Sequence, residues 1–263
     1  MSLGSLPALA QEERRTVQVQ IPGAAHRELG SRLLTIETPS TLAPGMGMVE
    51  GLVWTNPVAG SGSALQNLVT GTGLTAIVDY GVADRTGIQV QAGLSGQGLG
   101  PIAVMGKYAF LSEGVDRAPL SVGAYARLHG NLPGIADLVT LNFGTASAGL
   151  TVGVPLSRTI TDRLTVMAVP GLSLLATTRG MATTGNLGLA ADFAISPGLR
   201  GILETRLGAL PAGSSPISAG LRYDFTSSLM ADVFFGLGAM TPASGLGFGL
   251  ALPSLGIGGY YKF

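Results

Sequence analysis

A chain of 263 residues with 15 basic and 15 acidic residues has no net charge, which argues against nucleic acid as a partner. Charged residues are 11% of it and mean hydropathy is +0.44, whereas a water-soluble globule carries about 25% charged residues, so much of the surface faces something other than water. No run of 18 or more apolar residues exists, so a transmembrane helix is excluded; only helices and closed barrels span a bilayer, and the composition points to a barrel.

Residues 1–10, MSLGSLPALA, look like a signal-peptide remnant, with Ala8-Leu9-Ala10 as an A-x-A-type cleavage site and the mature chain starting near Gln11. Residues 11–45 form the charge-rich segment, carrying Glu12, Glu13, Arg14, Arg15, Arg27, Glu28, Arg32 and Glu37, and they close on prolines at 39 and 44. A periplasmic lead-in to a first strand has this character. A short strand over Thr16–Ile21 and a plug inside the barrel are both compatible with it, and the sequence does not choose between them.

From Met46 to the end the period is two, defining a barrel domain over 46–263. After a first strand at Met46–Trp54, apolar residues alternate over Leu74–Val82, Ile88–Leu94, Ile102–Phe110, Leu120–Leu128, Ala146–Leu156, Leu164–Leu174, Leu187–Ile195, Leu199–Leu207, Ile217–Phe225, Ala231–Leu237 and Leu246 to the end. Segments of about ten alternating residues separated by turn residues are the signature of transmembrane strands. The expected fold is all-β: a transmembrane antiparallel up-and-down barrel of about 12 strands. Counts of 10 or 14 remain as alternatives because the phase slips at Pro253-Ser254, read as a bulge, since proline in a sheet is confined to edges and bulges.

When each strand is phased by its apolar residues, its charges fall on the other face. Asp79, Lys107, Arg127, Asp192, Arg200, Glu204, Arg206, Arg222, Asp224 and Asp232 are thereby predicted to line the lumen, with Arg163 and Lys262 in the same phase. A lipid-facing Arg or Lys at the bilayer midplane costs about 2–4 kcal/mol, so a barrel requires this segregation, although a one-sided soluble sheet shows it too. Met46–Trp54 is the exception: neither phase is clean, and Glu50 is best placed inside.

The aromatics separate the two cases. Tyr80, Phe110, Phe193, Tyr223, Phe225, Tyr261 and Phe263 fall on the apolar face just before turns or at the chain end, which gathers them at one rim as an interfacial girdle. Trp54 is the candidate for the opposite interface. Tight turns at 83–86, 113–117, 157–162, 196–198 and 226–228 are assigned to the periplasm, with both termini. The connections 55–72, 96–100, 130–138, 175–184, 209–215 and 239–245 are assigned outside.

The last nine residues, Leu255-Gly256-Ile257-Gly258-Gly259-Tyr260-Tyr261-Lys262-Phe263, carry a resemblance. Gly258, Tyr261 and Phe263 match the glycine and two aromatic positions of the assembly signal that ends bacterial outer-membrane β-barrels, while Gly256 stands where a polar residue is usual. The chain over 46–263 thus resembles an outer-membrane β-barrel protein of the porin or transporter kind. The resemblance implies the bacterial outer membrane as location, its lipid as surroundings and the barrel-assembly machinery as a partner.

The predicted interior is otherwise small: Gly87, Gly93, Ser121, Gly123, Ser147, Gly149, Thr151, Gly153, Thr165, Gly188 and Gly220. Such side chains cannot fill a lumen of twelve strands, leaving space for water, ligand or a plug. The charges on the last strands form either a selectivity wall for a polar solute or a ladder of salt bridges. Enzyme chemistry lacks its parts: His26 and His129 are the only histidines, His129 lacks the His-x-Ser-Asn arrangement of outer-membrane phospholipases, and neither metal-ligand spacing nor a cofactor motif is present. The functions in view are a channel for diffusion of small polar solutes, a structural or interaction barrel docked to surface-layer or other envelope proteins without an open pore, and an autotransporter-like translocator.

Overall fold

Alternation along the chain becomes alternation between two faces of one sheet. The computed structural model describes residues 33–34, 36–55, 72–95, 98–131, 147–177, 180–208, 217–237 and 253–263; residues 1–10, and with them the signal remnant, lie outside the described residues, as does Thr16–Ile21. The strands are β1 (Gly47–Thr55), β2 (Thr72–Ala83), β3 (Thr86–Ser95), β4 (Gly98–Leu111), β5 (Ser121–Asn131), β6 (Ser147–Gly153), β7 (Leu156–Thr161), β8 (Leu164–Thr177), β9 (Gly180–Ser196), β10 (Leu199–Gly208), β11 (Ile217–Asp224), β12 (Leu229–Leu237) and β13 (Pro253–Lys262).

Every pairing between these strands is antiparallel. Strand β1 lies between β2 and β13, and β5 pairs both with β4 and with β6 and β7, so the sheet has no open edge. Strands β6 and β7 are two halves of one stave: both pair with β5 and with β8, and the chain breaks between them at Val154-Pro155. The thirteen segments therefore make a closed barrel of twelve staves.

The exterior is a continuous apolar band. Val78, Val90, Val104, Leu128, Leu172, Leu203, Leu221, Val233 and Ile257, one from each of nine strands, all face outward and exposed. A soluble monomer seldom shows a contiguous apolar patch beyond a few hundred Å², and a belt running round the whole cylinder is the transmembrane β-barrel arrangement. Tyr80, Phe110, Phe193, Tyr223, Phe225, Tyr261 and Phe263 face outward at the end of the barrel that carries the tight turns. Tyr108 joins them, 5.0 Å from Phe110 ring to ring, and Tyr223 and Phe225 stand edge to face at 4.8 Å. Phe263 closes this rim through paired backbone hydrogen bonds with Gly47, both 2.9 Å.

Four expectations are corrected. Residues 157–162 are not a turn: polar as they are, Leu156–Thr161 pair with β8, and the turn is Asp162-Arg163. The connection at 175–184 is mostly strand, since β8 runs to Thr177 and β9 starts at Gly180. Pro253 is not a bulge. It is the first residue of β13, where no ladder N–H is needed, and the register with β12 runs unbroken from Leu237↔Pro253 to Leu229↔Tyr261. The residues before it, 246–252, lie outside the described residues.

Trp54 is the fourth. It sits inside the barrel, 8% exposed, not at an interface. Its phase follows from β1, where Met48, Glu50, Leu52 and Trp54 point inward and Val49, Gly51 and Val53 outward. The residue directly across on β2 is Gly73, over whose Cα the indole lies, and the indole N–H donates to Thr75 Oγ1 at 3.3 Å. A ring laid over a cross-strand glycine restores the packing that the missing side chain forfeits.

Candidate functional site

The lumen is occupied by the chain's own residues 33–34 and 36–43. Leu33, Leu34 and Ile36 are buried at 0%, 3% and 2% exposure among Leu52, Trp54, Met167, Val169, Ile202 and Phe234 of the wall. The wall is cut to receive them. A Cβ on Gly220 would come within 2.9 Å of Leu34 Cδ1, one on Gly188 within 3.2 Å of Ile36 Cδ1, and one on Gly123 within 3.0 Å of the Pro39 carbonyl oxygen. On Gly81 it would collide with the Ala43 carbonyl. Small residues that read as free space from sequence are the mould of this segment.

The segment is also held by its polar atoms. Glu204 on β10 accepts the backbone N–H of Leu34 at 2.7 Å and that of Ile36 at 3.4 Å, and Arg222 on β11 donates to the Leu33 carbonyl at 3.3 Å. Across the lumen the Glu37 carboxylate pairs with Lys107 Nζ on β4 at 3.3 Å and with the Arg127 guanidinium on β5. Glu37, Lys107 and Glu204 are all buried. Buried charges that lose a partner cost several kcal/mol, so these pairs determine where the segment lies.

The ionised residues fall into two groups. On β9 to β13 the wall pairs with itself. Arg222 holds Asp232 through two nitrogens, at 2.7 and 2.6 Å, with Tyr260 hydroxyl 2.9 Å away and its ring 4.7 Å from the guanidinium. Arg200 pairs with Asp192 at 3.0 Å and reaches Asp224 at 3.7 Å. On β2 to β5 the pairing runs through the segment instead: Asp79 accepts from Gln89 at 2.8 Å, Gln89 accepts from Arg127 at 3.3 Å, and Arg127 and Lys107 share Glu37. Arg206 is half-buried on the enclosed face of β10, and Arg163 is exposed in its turn.

Toward the opposite rim the enclosed wall carries a chain of uncharged polar side chains. His129 Nε2 is 3.1 Å from Thr151 Oγ1, which is 3.0 Å from Ser173 Oγ, and Asn186 donates to Ser173 at 3.5 Å. Gln91, fully buried on β3, has neither amide atom hydrogen-bonded. Sequence reasoning missed Leu33, Leu34, Ile36, Gln89, Gln91 and Tyr260 as lumenal residues. For Gln89, Gln91 and Tyr260 the signal was available, because the phase that placed Asp79 and Lys107 places them as well.

No family model and no curated protein matches this chain. Among solved structures it is similar to the KdgM porin, also solved in complex with disordered oligogalacturonate, with TM-score 0.55, 10% identity, and 83% of this chain and 99% of that one covered. The NanC porin follows at TM-score 0.53 and 12% identity, covering 82% and 100%. An outer-membrane channel from Pseudomonas putida F1 gives 0.52 and 13%, covering 85% and 97%. The class is therefore fixed at the level of fold: a closed, twelve-stave β-barrel of the outer-membrane type.

Proposed function

We propose that this chain is an outer-membrane channel for the diffusion of small polar solutes, and that residues 33–43 govern passage by filling its lumen. The observation that carries the reading is the glycine mould: the space opposite Gly81, Gly123, Gly188 and Gly220 is taken by a separate stretch of chain, not by wall side chains. Withdrawal of that stretch leaves a lumen lined by small and ionised residues, with an apolar patch around Leu52, Trp54 and Phe234. The porin neighbours support a channel role, and the aromatic rim with its tight turns supports a periplasmic position for both termini.

Single-channel recording in planar bilayers tests it. The wild type should conduct weakly. The double variant Leu34→Asp/Ile36→Asp, which puts two carboxylates into an apolar cluster and leaves the wall intact, should conduct several-fold more. A double variant that folds yet stays silent contradicts the channel. That result would favour the second reading, a structural barrel of the envelope, which the self-paired wall of Arg222–Asp232 and Arg200–Asp192 supports.

A further inference from the structure

We infer that Lys107 and Arg127 form a carboxylate-binding site in the lumen, that Glu37 is its tethered occupant, and that carboxylate-bearing solutes compete with Glu37 for it. The inference rests on the channel reading only for its role in transport; the site itself stands on geometry. Two cations from adjacent strands converge on one carboxylate, with Lys107 Nζ 3.3 Å from Glu37 Oε2 and the Arg127 guanidinium on Oε1. That carboxylate belongs to the inserted segment, whereas on the far wall Arg222 and Arg200 take theirs from Asp232 and Asp192 of the barrel. The basic pair thus loses the carboxylate that its two members share when the segment leaves.

Two features of the surroundings bear on what a solute meets there. A water-sized cavity lies against Asp79, Gln89 and Lys107 of the wall, between them and Ser40, Thr41 and Leu42 of the segment. Gln91, one inward position beyond Gln89 on β3, holds its carboxamide fully buried with both polar atoms unbonded, and such a group costs roughly 1–3 kcal/mol until a partner satisfies it. A polar solute with a carboxylate at Lys107 and Arg127 and a hydroxyl near Gln91 meets both demands.

The energetics follow from competition. Withdrawal of Glu37 strips the buried Lys107 and the partly buried Arg127 of a shared carboxylate, so the segment is held most firmly when no anion can replace it. A solute shifts the equilibrium only by its preference for the vacated state. Because a tethered group acts at an effective concentration of millimolar order, free solute must bind against it, and its apparent affinity falls with the fraction of vacant sites.

Gluconate, with the neutral polyol sorbitol as control, tests this by calorimetric titration of the full chain in detergent micelles. Glu37→Gln should tighten gluconate binding by about tenfold or more over the wild type, Glu37→Gln/Arg127→Gln should abolish the gain, and sorbitol should bind neither. Equal gluconate affinity in the wild type and Glu37→Gln, retention of the gain without Arg127, or equal binding of sorbitol overturns the site. Should Glu37→Gln not fold, the wild type is read by limited proteolysis: gluconate should expose Leu33 and Leu34 to chymotrypsin and sorbitol should not, and no change with gluconate overturns it. Neither assay involves conductance, so a barrel that binds gluconate yet stays silent in bilayers refutes the channel and leaves the site standing.

Discussion

Glu204, on β10, holds Leu34 by its backbone: one carboxylate oxygen accepts the Leu34 N–H at 2.7 Å across 170 positions of sequence. The same oxygen receives the Ile36 N–H at 3.4 Å. Glu204→Ala therefore deprives two buried donors of their acceptor, each a loss of roughly 1–3 kcal/mol, while the barrel's own ladders are untouched. The folded barrel should persist and residues 33–43 should become protease-sensitive. Limited proteolysis of the variant in micelles reads this; a cleavage pattern unchanged from the wild type contradicts it.

The Arg222–Asp232 pair is a test of the wall itself. Both residues are 1% exposed. Removing one partner of a buried pair costs about 3–5 kcal/mol, while replacing both by apolar residues of similar volume is nearly neutral. Asp232→Leu alone should lower the denaturation midpoint sharply, and Arg222→Met/Asp232→Leu should recover most of it. Tyr260→Phe, which deletes a hydroxyl that donates to Asp232 and keeps the ring over the guanidinium, should cost about 1.5–3 kcal/mol. Guanidinium unfolding followed by the mobility of folded and unfolded barrel on gels measures all three, and equal losses for the single and double variants contradict the account.

Trp54 shows where the chain was legible and where it was not. A period of two reports which residues share a face, and it located the charges of β2, β4, β9, β10, β11 and β12 because their apolar face is uniform. In β1 both faces are apolar, since Leu52 and Trp54 face inward to meet Leu33 and Leu34, so the phase had no contrast to read. The Leu33-Leu34 pair carried no period of its own, and its acceptor lies on β10. Destination across such a span is decided by tertiary fit, which a local pattern does not encode. The same holds at Ser157-Arg158-Thr159, polar enough to read as a turn, yet held in a strand by β8 and by Glu113, which accepts the Thr159 N–H at 2.9 Å.

Trp54 is the chain's single tryptophan, so its fluorescence reports on this correction directly. In bilayers containing brominated lipid its emission should be protected from quenching, because the indole faces the lumen. Gly73→Ala drives a methyl into the indole and should alter the emission and destabilise by about 1–3 kcal/mol. Strong quenching by lipid bromine would place Trp54 at the interface after all.

At the turn-bearing rim, Arg85 and Asp116 fasten two turns together. Arg85 adopts φ 64° in the turn between β2 and β3. It donates to the Phe110 carbonyl at 2.8 Å and to Asp116, whose other oxygen accepts the Ser112 N–H at 2.8 Å. The hydrogen bond from Arg85, followed by that from Ser112, holds the Asp116 carboxyl below its ordinary range. A depressed folded-state value means that the contribution is present above the unfolded value of about 3.9 and is lost as pH falls through the lower folded one. The clasp should therefore be indifferent to pH between about 5 and 8 and open only in stronger acid. An NMR titration of Asp116 in micelles checks this, and a midpoint at or above the free aspartate value contradicts it.

The placement of Leu33, Leu34 and residues 36–43 inside the cylinder is tested most directly by disulfide trapping. The chain contains no cysteine, and a Cβ built on Gly87 stands 3.7 Å from the Thr41 Cβ, the Cβ–Cβ separation that a disulfide takes. In membranes, Thr41→Cys/Gly87→Cys should form an intramolecular bond under mild oxidation, seen as a reducible mobility shift of the folded barrel. Two thiols that stay unbonded and react freely with a water-soluble maleimide would put the segment outside the lumen and contradict the account.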